Sequence, residues 1–343
     1  MTMMPDLSRS WLFGRAFASR FAIVACATMV GGVSVIVSAQ PVPQSYPNKP
    51  IRMVVPFAAG GPTDLIGRLL AQKLNVSLGQ SFVLDNRGGG GAIVGSEIVA
   101  KSPPDGYTWL VTTGSHTSNS AFNQNVPYDP VRDFTPVTML ARNFGQVLVV
   151  HPSVPARSVK ELLALAKARP GGMNYASAGI GNILYIAAEM MKSMTGVNIA
   201  DIQYKGAGPA FNDLLGGHVD MCFAPTQTAL PLIQTGRLRA LAMTGPSRWK
   251  VLPDVPTMQE SGLKDYVLVG WFGMWMPAGV APELVARIFT ETARALGEPD
   301  VKRRFDELGL EPVGSQPEAF AKFIVKDAAE MRELARKIGL AAK

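Results

Sequence analysis

Four short stretches of this sequence could do chemistry, and all four would do it with backbone rather than side chains. Residues 58–62, 88–92, 177–182 and 204–208 are built from Gly, Ala, Ser and other turn-forming residues, and each directly precedes a segment patterned as a helix. A helix start leaves N–H groups unpaired and carries partial positive charge, so anions settle there. In Gly60-Gly61-Pro62-Thr63-Asp64, Gly61 lets backbone approach a guest and Pro62 suits the first helical position. The candidate contacts are Phe57, Ala59, Gly60 and Gly61, then Gly89, Gly90 and Gly91. From the later loops come Ser177, Ala178, Gly179, Gly181 and Asn182, with Tyr204, Gly206 and Ala207. Ser115, in the polar loop Gly114-Ser115-His116-Thr117, and Phe223 complete the set. Such loops form an anion site with no obligatory arginine, although plain turns also use glycine and one short glycine motif does not separate the two.

Asp64 stands apart from these donors. At the third helical position it complements the helix dipole, worth ~0.3–1 kcal/mol. An acid touching an anion would repel it, so a functional role is indirect: accepting hydrogen bonds from the 88–92 loop, or from waters that bridge to a ligand.

Catalytic chemistry is hard to assemble. His116, His151 and His218 are far apart and lack ligand spacing, so no metal site is expected. There is no G-x-S-x-G elbow, Walker A motif or H-E-x-x-H. Gly88 to Gly91 lacks the Lys-Ser/Thr of a phosphate loop, so no nucleotide cofactor is expected. Cys222 sits in an apolar strand and reads as a core thiol.

The elements that must position these loops alternate strand and helix. Strands are expected at 51–55, 81–84 and 107–113, with helices starting at Pro62 and near Ile93. Leu65, Ile66, Leu69, Leu70 and Leu74 recur at helical spacing. This is the pattern of a parallel sheet. A second series follows, with strands at 146–150, 174–177, 202–204, 221–224 and 239–243. The apolar run 267–276 reads as a segment crossing back to the first half. Helices over 282–296, 299–308 and 317–338 close the chain. The reading is α/β with two lobes, the second inserted, and crossings near 147–152 and 272–277. Lobe 1 is then 51–147 plus 272–343 and lobe 2 is 148–271. Ligands of open α/β sheets bind beyond the carboxyl ends of the strands.

Residues 1–39 read as a cleavable leader: Arg9, Arg15 and Arg20 precede an apolar run, and Val37-Ser38-Ala39 is a small-residue cleavage site. Residues 40–50 are a Pro-rich linker. The whole chain carries a formal charge of +7, and losing the leader removes three arginines and one aspartate, leaving +5. That balance suits a small anionic ligand. No block of like charges exists, which argues against nucleic acid. One cysteine remains after cleavage, so no internal disulfide forms. A soluble exported monomer is expected.

Motifs along the chain sharpen this. They include Tyr46-Pro47, Val55-Pro56-Phe57…Gly60-Gly61…Asp64, Asn86-Arg87-Gly88, Pro104-Asp105-Gly106-Tyr107 and Tyr128-Asp129-Pro130…Asp133-Phe134. Tyr175-Ala176-Ser177-Ala178-Gly179, Tyr204-Lys205-Gly206, Gly216-Gly217-His218-Val219-Asp220 and Leu252-Pro253-Asp254-Val255-Pro256-Thr257 follow. In this order they resemble the Bug family, extracytoplasmic receptors of tripartite tricarboxylate transporters. The resemblance implies a two-lobed periplasmic binding protein (type II-like). Each lobe is then a mixed, mainly parallel sheet flanked by helices, with the ligand cleft between lobes. It implies a small carboxylated solute, transient contact with membrane transporter subunits, and no cofactor. Loops matching 57–64 and 86–92 would hold the carboxylate partly through waters, and those matching 177–182 and 204–207 would contact it directly. Two departures bear on the far end of the ligand. Asn182 and Tyr185 stand where relatives often have Ser or Thr and His, and 88–92 reads G-G-G-G-A rather than P-G-A-G-G. Two rival readings use the same cleft: a receptor reporting to a sensor kinase, and an exported enzyme working through Asp64 and His116.

Overall fold

The computed structural model describes residues 46–342; the expected leader lies outside the described residues. The chain begins with β1 (Ile51–Val55), α1 (Pro62–Leu78), β2 (Phe82–Asn86), α2 (Ile93–Ala100) and β3 (Thr108–Thr113). In β1, four of the five residues are buried, because the strand lies between β2 and β3 and pairs parallel with both. Such a strand has helices on both faces and reads as a continuous apolar run. Ile66, Leu70 and Leu74 recur every four residues on α1 and join Ile51 and Met53 in one core. Pro62 opens α1, and Gly79 ends it at φ 68°, its N–H bonded to Asn75 O at 3.0 Å.

Next come α3 (Ser115–Phe122), β4 (Phe134–Asn143), β5 (Gln146–Val150), α4 (Val159–Ala168), β6 (Asn174–Ser177) and α5 (Ile183–Thr195). They are followed by β7 (Ala200–Gln203), α6 (Ala207–Leu215), β8 (Met221–Pro225), α7 (Thr226–Gln234) and β9 (Arg239–Met243). The chain closes with β10 (Trp271–Pro277), α8 (Pro282–Gly297), α9 (Pro299–Glu307), β11 (Leu310–Pro312) and α10 (Pro317–Lys337). Two mixed sheets result, ordered β11-β4-β10-β3-β1-β2 and β7-β6-β8-β5-β9. Both hold more antiparallel pairing than the strand–helix repeats suggest. β10 runs antiparallel to β3 and β4, and β5 runs antiparallel to β8 and β9.

The chain leaves the first sheet after Asn143 and enters the second at Gln146; it returns between Met243 and Trp271. The expected crossings at 147–152 and 272–277 therefore fall largely within β5 and β10. The two crossing segments are pinned together. Asn143 Oδ1 accepts from the N–H groups of Gly145 (3.1 Å) and Gly270 (2.7 Å). Thr244 Oγ1 accepts from Gln146 N–H at 2.7 Å and donates to Leu268 O at 2.6 Å. A side chain on Gly145 would put its Cβ 2.4 Å from Gly245 N, so only glycine fits there. The last helix spans both halves. Phe320 and Ile324 of α10 pack with Trp271 and Trp275, while Ala335 joins the core of the second sheet.

Candidate functional site

A cavity of about 80 Å³ is walled by both sheets and by the crossing segments. Phe57, Gly61, Pro62 and Thr63 come from the β1–α1 junction, and Thr113, Gly114 and Ser118 from the β3–α3 junction. The second sheet supplies Ala178, Asn182, Ile183, Ala207 and Pro225; the crossings supply Asn143, Gln146 and 268–272; α10 supplies Asp327 and Met331. Helices α1, α3, α5, α6 and α7 thus all begin at this wall. The first helical bond of α1 runs from Leu65 N–H to Gly61 O at 3.1 Å, so the N–H groups of Thr63 and Asp64 precede the ladder. Among the described lining residues there is no Lys, Arg or His. An anion here is met by helix ends and amides.

Asp64, 2% exposed, turns away from the cavity. Its Oδ2 accepts from Gly60 N–H (3.0 Å) and Arg68 Nε (2.9 Å), and its Oδ1 accepts from Asn86 Nδ2 (3.1 Å). Burial pushes its pKa up, and the bonds from Arg68, Gly60 and Asn86 outweigh this and hold it below the ordinary value. Asn86 Nδ2 also reaches Phe57 O at 3.1 Å. Asp64 therefore ties the β1–α1 loop to the end of β2; its partner there is Asn86, not the 88–92 glycines.

Those glycines form a seam between the two halves. Asn119 Nδ2 donates to Gly91 O at 3.0 Å, and a Cβ on Gly91 (φ 62°) would meet Ile180 O at 2.4 Å. Ala58 N–H donates to Lys205 O at 3.1 Å. Ser118 Oγ donates to Gly181 O, and Asn182 Nδ2 donates to Ser115 Oγ at 3.0 Å. Asn182 also caps α5, its Oδ1 accepting from Leu184 N–H at 3.0 Å. This is a closed arrangement of the two halves.

Among the described lining residues there is one acid. Asp327, 8% exposed, accepts from Trp271 Nε1 at 3.2 Å through Oδ1, and its Oδ2 sits against Thr117 Oγ1. Burial pushes its pKa up to about 6, against the bonds from Thr117 and Trp271. Gln146, 1% exposed, lines the same space, and its Oε1 has no partner among the described residues.

The sequence profile of the family described as "Tripartite tricarboxylate transporter family receptor" matches residues 66–340. BugT of Bordetella pertussis is 35% identical over 324 residues, spanning 94% of this chain and 98% of BugT. A solved structure named "R. palustris Rpa4515 with adipate" is 36% identical, covers 87% of this chain and 99% of its own, and superposes with a TM-score of 0.82. Another, "MatC (Rpa3494) from Rhodopseudomonas palustris with bound malate", is 30% identical, covers 84% and 99%, and gives 0.80. This chain belongs to the tripartite tricarboxylate transporter receptor family. The Bug resemblance and the two-lobed α/β fold stand.

Within this receptor, the expected contacts do not all reach the cavity. Phe57, Gly61, Ala178, Asn182 and Ala207 line the cavity. Ser115, Gly91, Gly179 and Gly181 lie at the seam, where a Cβ on Gly179 would sit 2.7 Å from Gly91 N and one on Gly181 would sit 2.4 Å from Asn119 Oδ1. Gly206 is also there, against Ala58 N. Ala59, Gly60, Gly89, Gly90 and Ser177 hold loop shape without lining the cavity. Tyr204 donates to Asp213 Oδ2 at 2.6 Å instead. Phe223 is core, stacked on Tyr266 with centroids 6.2 Å apart. His116 lies buried among Tyr128, Phe134 and Trp275, bonds Pro130 O through Nε2 at 2.9 Å, and is not joined to Asp64. Residues 115–117, expected as a loop, open helix α3. Sequence reasoning missed Asn143, Gln146 and Asp327. For Asp327 a signal existed: it falls on the buried stripe of α10 with Phe320, Ile324 and Ala328, where an acid is out of place.

Proposed function

We propose that this chain is a periplasmic receptor that closes two lobes on a small carboxylate and presents the closed form to membrane transporter subunits. The observation that carries the reading is the cavity between the two sheets, walled by helix starts and free of cationic side chains among its described lining. The solved structures of relatives with adipate and with bound malate support it. The lobes follow the two sheets, with Asn143–Gln146 and Thr244–Gly270 as the hinge. Thr63 and Asp64 N–H, with Phe57, Gly61, Ala178, Asn182 and Ala207, receive the ligand. The seam bonds at Gly181, Asn182 and Lys205 hold the closed form. Export proceeds by loss of residues 1–39, and the mature receptor works as a monomer without cofactor or metal. We read it as a receptor rather than an enzyme: among the described lining residues the one ionisable group is Asp327, and no nucleophile–base pair is found.

The experiment is a thermal-shift panel of mono-, di- and tricarboxylates and amino acids at neutral pH. A ligand at a hundredfold its Kd stabilises by about 2.7 kcal/mol and raises the midpoint by several degrees. No shift with any acid would defeat the reading.

A further inference from the structure

The described lining of the cavity has one acidic group and no cation to match it, and this bears on what the far end of a ligand can be. Asp327 reaches the cavity from α10 and is held by two neighbours from other elements, Trp271 of β10 and Thr117 of α3. The Thr117 hydroxyl lies within bonding distance of two acceptors, Gly114 O at 2.8 Å and Asp327 Oδ2. A hydroxyl has one proton to give. If it donates to Asp327, the acid is held as an acceptor. If it donates to Gly114 O, the proton of a neutral Asp327 lies on Oδ2 and points to Thr117. In the ionised form, and in a neutral form with its proton on Oδ2, only lone pairs remain to face the cavity. The rest of the lining is mainly apolar, with Phe57, Ile183, Leu268, Trp271, Phe272 and Met331, and its other polar side chains, such as Ser118, Asn143 and Gln146, are neutral.

We infer that the ligand has a single carboxylate, held at the helix starts, and an apolar body whose other end donates a hydrogen bond to Asp327. Asp327 is thereby the residue that selects against a second carboxylate. A dicarboxylate would place its second charge against the acceptor atoms of Asp327, with no Lys, Arg or His among the described lining residues to offset it. A hydroxyl or amine N–H at that end satisfies lone pairs that are otherwise buried without full use. Gln146, whose Oε1 lacks a partner among the described residues, offers a second polar contact in the same apolar wall.

This rests on the carboxylate reading above and narrows it. The test is calorimetric titration at pH 7.5 with matched pairs. Each pair holds an α,ω-dicarboxylate and the ω-hydroxy monocarboxylate of equal length, from four to eight carbons, with terephthalate and 4-hydroxymethylbenzoate as an aromatic pair. The hydroxy acid should bind at least tenfold tighter than its dicarboxylate partner in every pair that binds. Asp327→Asn, checked for folding by its melt, should shrink that ratio to threefold or less by admitting the dicarboxylate. A dicarboxylate binding as tightly as its partner in the unaltered protein would overturn the inference while leaving carboxylate capture intact. An unchanged ratio in the folded Asp327→Asn variant would overturn the role of Asp327. Binding by no acid at all would remove both.

Discussion

Replacing Asp327 by Asn should stabilise the ligand-free receptor at neutral pH, and the gain should vanish in acid. In the folded chain burial pushes the Asp327 pKa from 3.8 up to about 6. The folded state therefore holds a proton that the unfolded chain releases between those values. Stability on this account rises as pH falls through 6 toward 3.8, and above 6 the full cost of the buried charge is present. The displacement corresponds to about 3 kcal/mol at pH 7.5. Asn carries no charge but weakens the bonds with Trp271 and Thr117, which costs about 1 kcal/mol. The net is about 2 kcal/mol, or about 4 °C for a chain of this size. His116 works in the opposite direction. Burial lowers its pKa from 6.5 to about 4, so its contribution to stability is lost as pH falls through that range. In the unaltered protein the two nearly cancel between pH 4 and 6, which hides Asp327 from a single melt. The assay is therefore a series of paired thermal melts from pH 4.5 to 8, reading the difference between variant and unaltered protein. We expect about +4 °C at pH 7.5, falling to zero or below by pH 4.5. A difference that is flat with pH, or an Asn variant less stable at pH 7.5, would refute the reasoning.

Three further outcomes follow from the geometry. Asp64→Ala frees Gly60 N–H and Asn86 Nδ2, so the β1–α1 loop loosens; affinity should drop at least tenfold in titration calorimetry while far-ultraviolet dichroism stays native. Unchanged affinity would reduce Asp64 to a helix-dipole partner. Gly91→Ala forces a Cβ against Ile180 O at a left-handed φ, so it should block closure: small-angle scattering with ligand should retain the open form's larger radius, with little change in the ligand-free melt. Cys222 is 1% exposed and its thiol is pushed up to about 12 by burial; it should react with a thiol reagent only in denaturant, and rapid labelling of the native protein would contradict its place in the core.

The sequence by itself determined what is local. Buried strands such as Ile51–Val55 are apolar throughout, and the spacing of Ile66, Leu70 and Leu74 shows which face of α1 is covered. Prolines at 62, 282, 299 and 317 mark four helix starts that the structure keeps. The order of motifs carried the family. Tertiary structure decided what depends on partners distant in the chain. Ser115–Phe122 has no helical period and is nevertheless a buried helix, because its polar groups are met by Asp327, Gly181 and Gly91 from three other segments. The antiparallel partners of β10 lie more than a hundred residues away, beyond any local pattern. The glycine loops read as one clamp divide into a cavity wall and a lobe seam, since glycine composition signals close approach but not to what. The loop opened by Gly60 and Gly61 is the clearest case. Its helix start was legible in the residues, while the direction of Asp64, back toward Asn86 and away from the cavity, came only from folding β2 alongside β1.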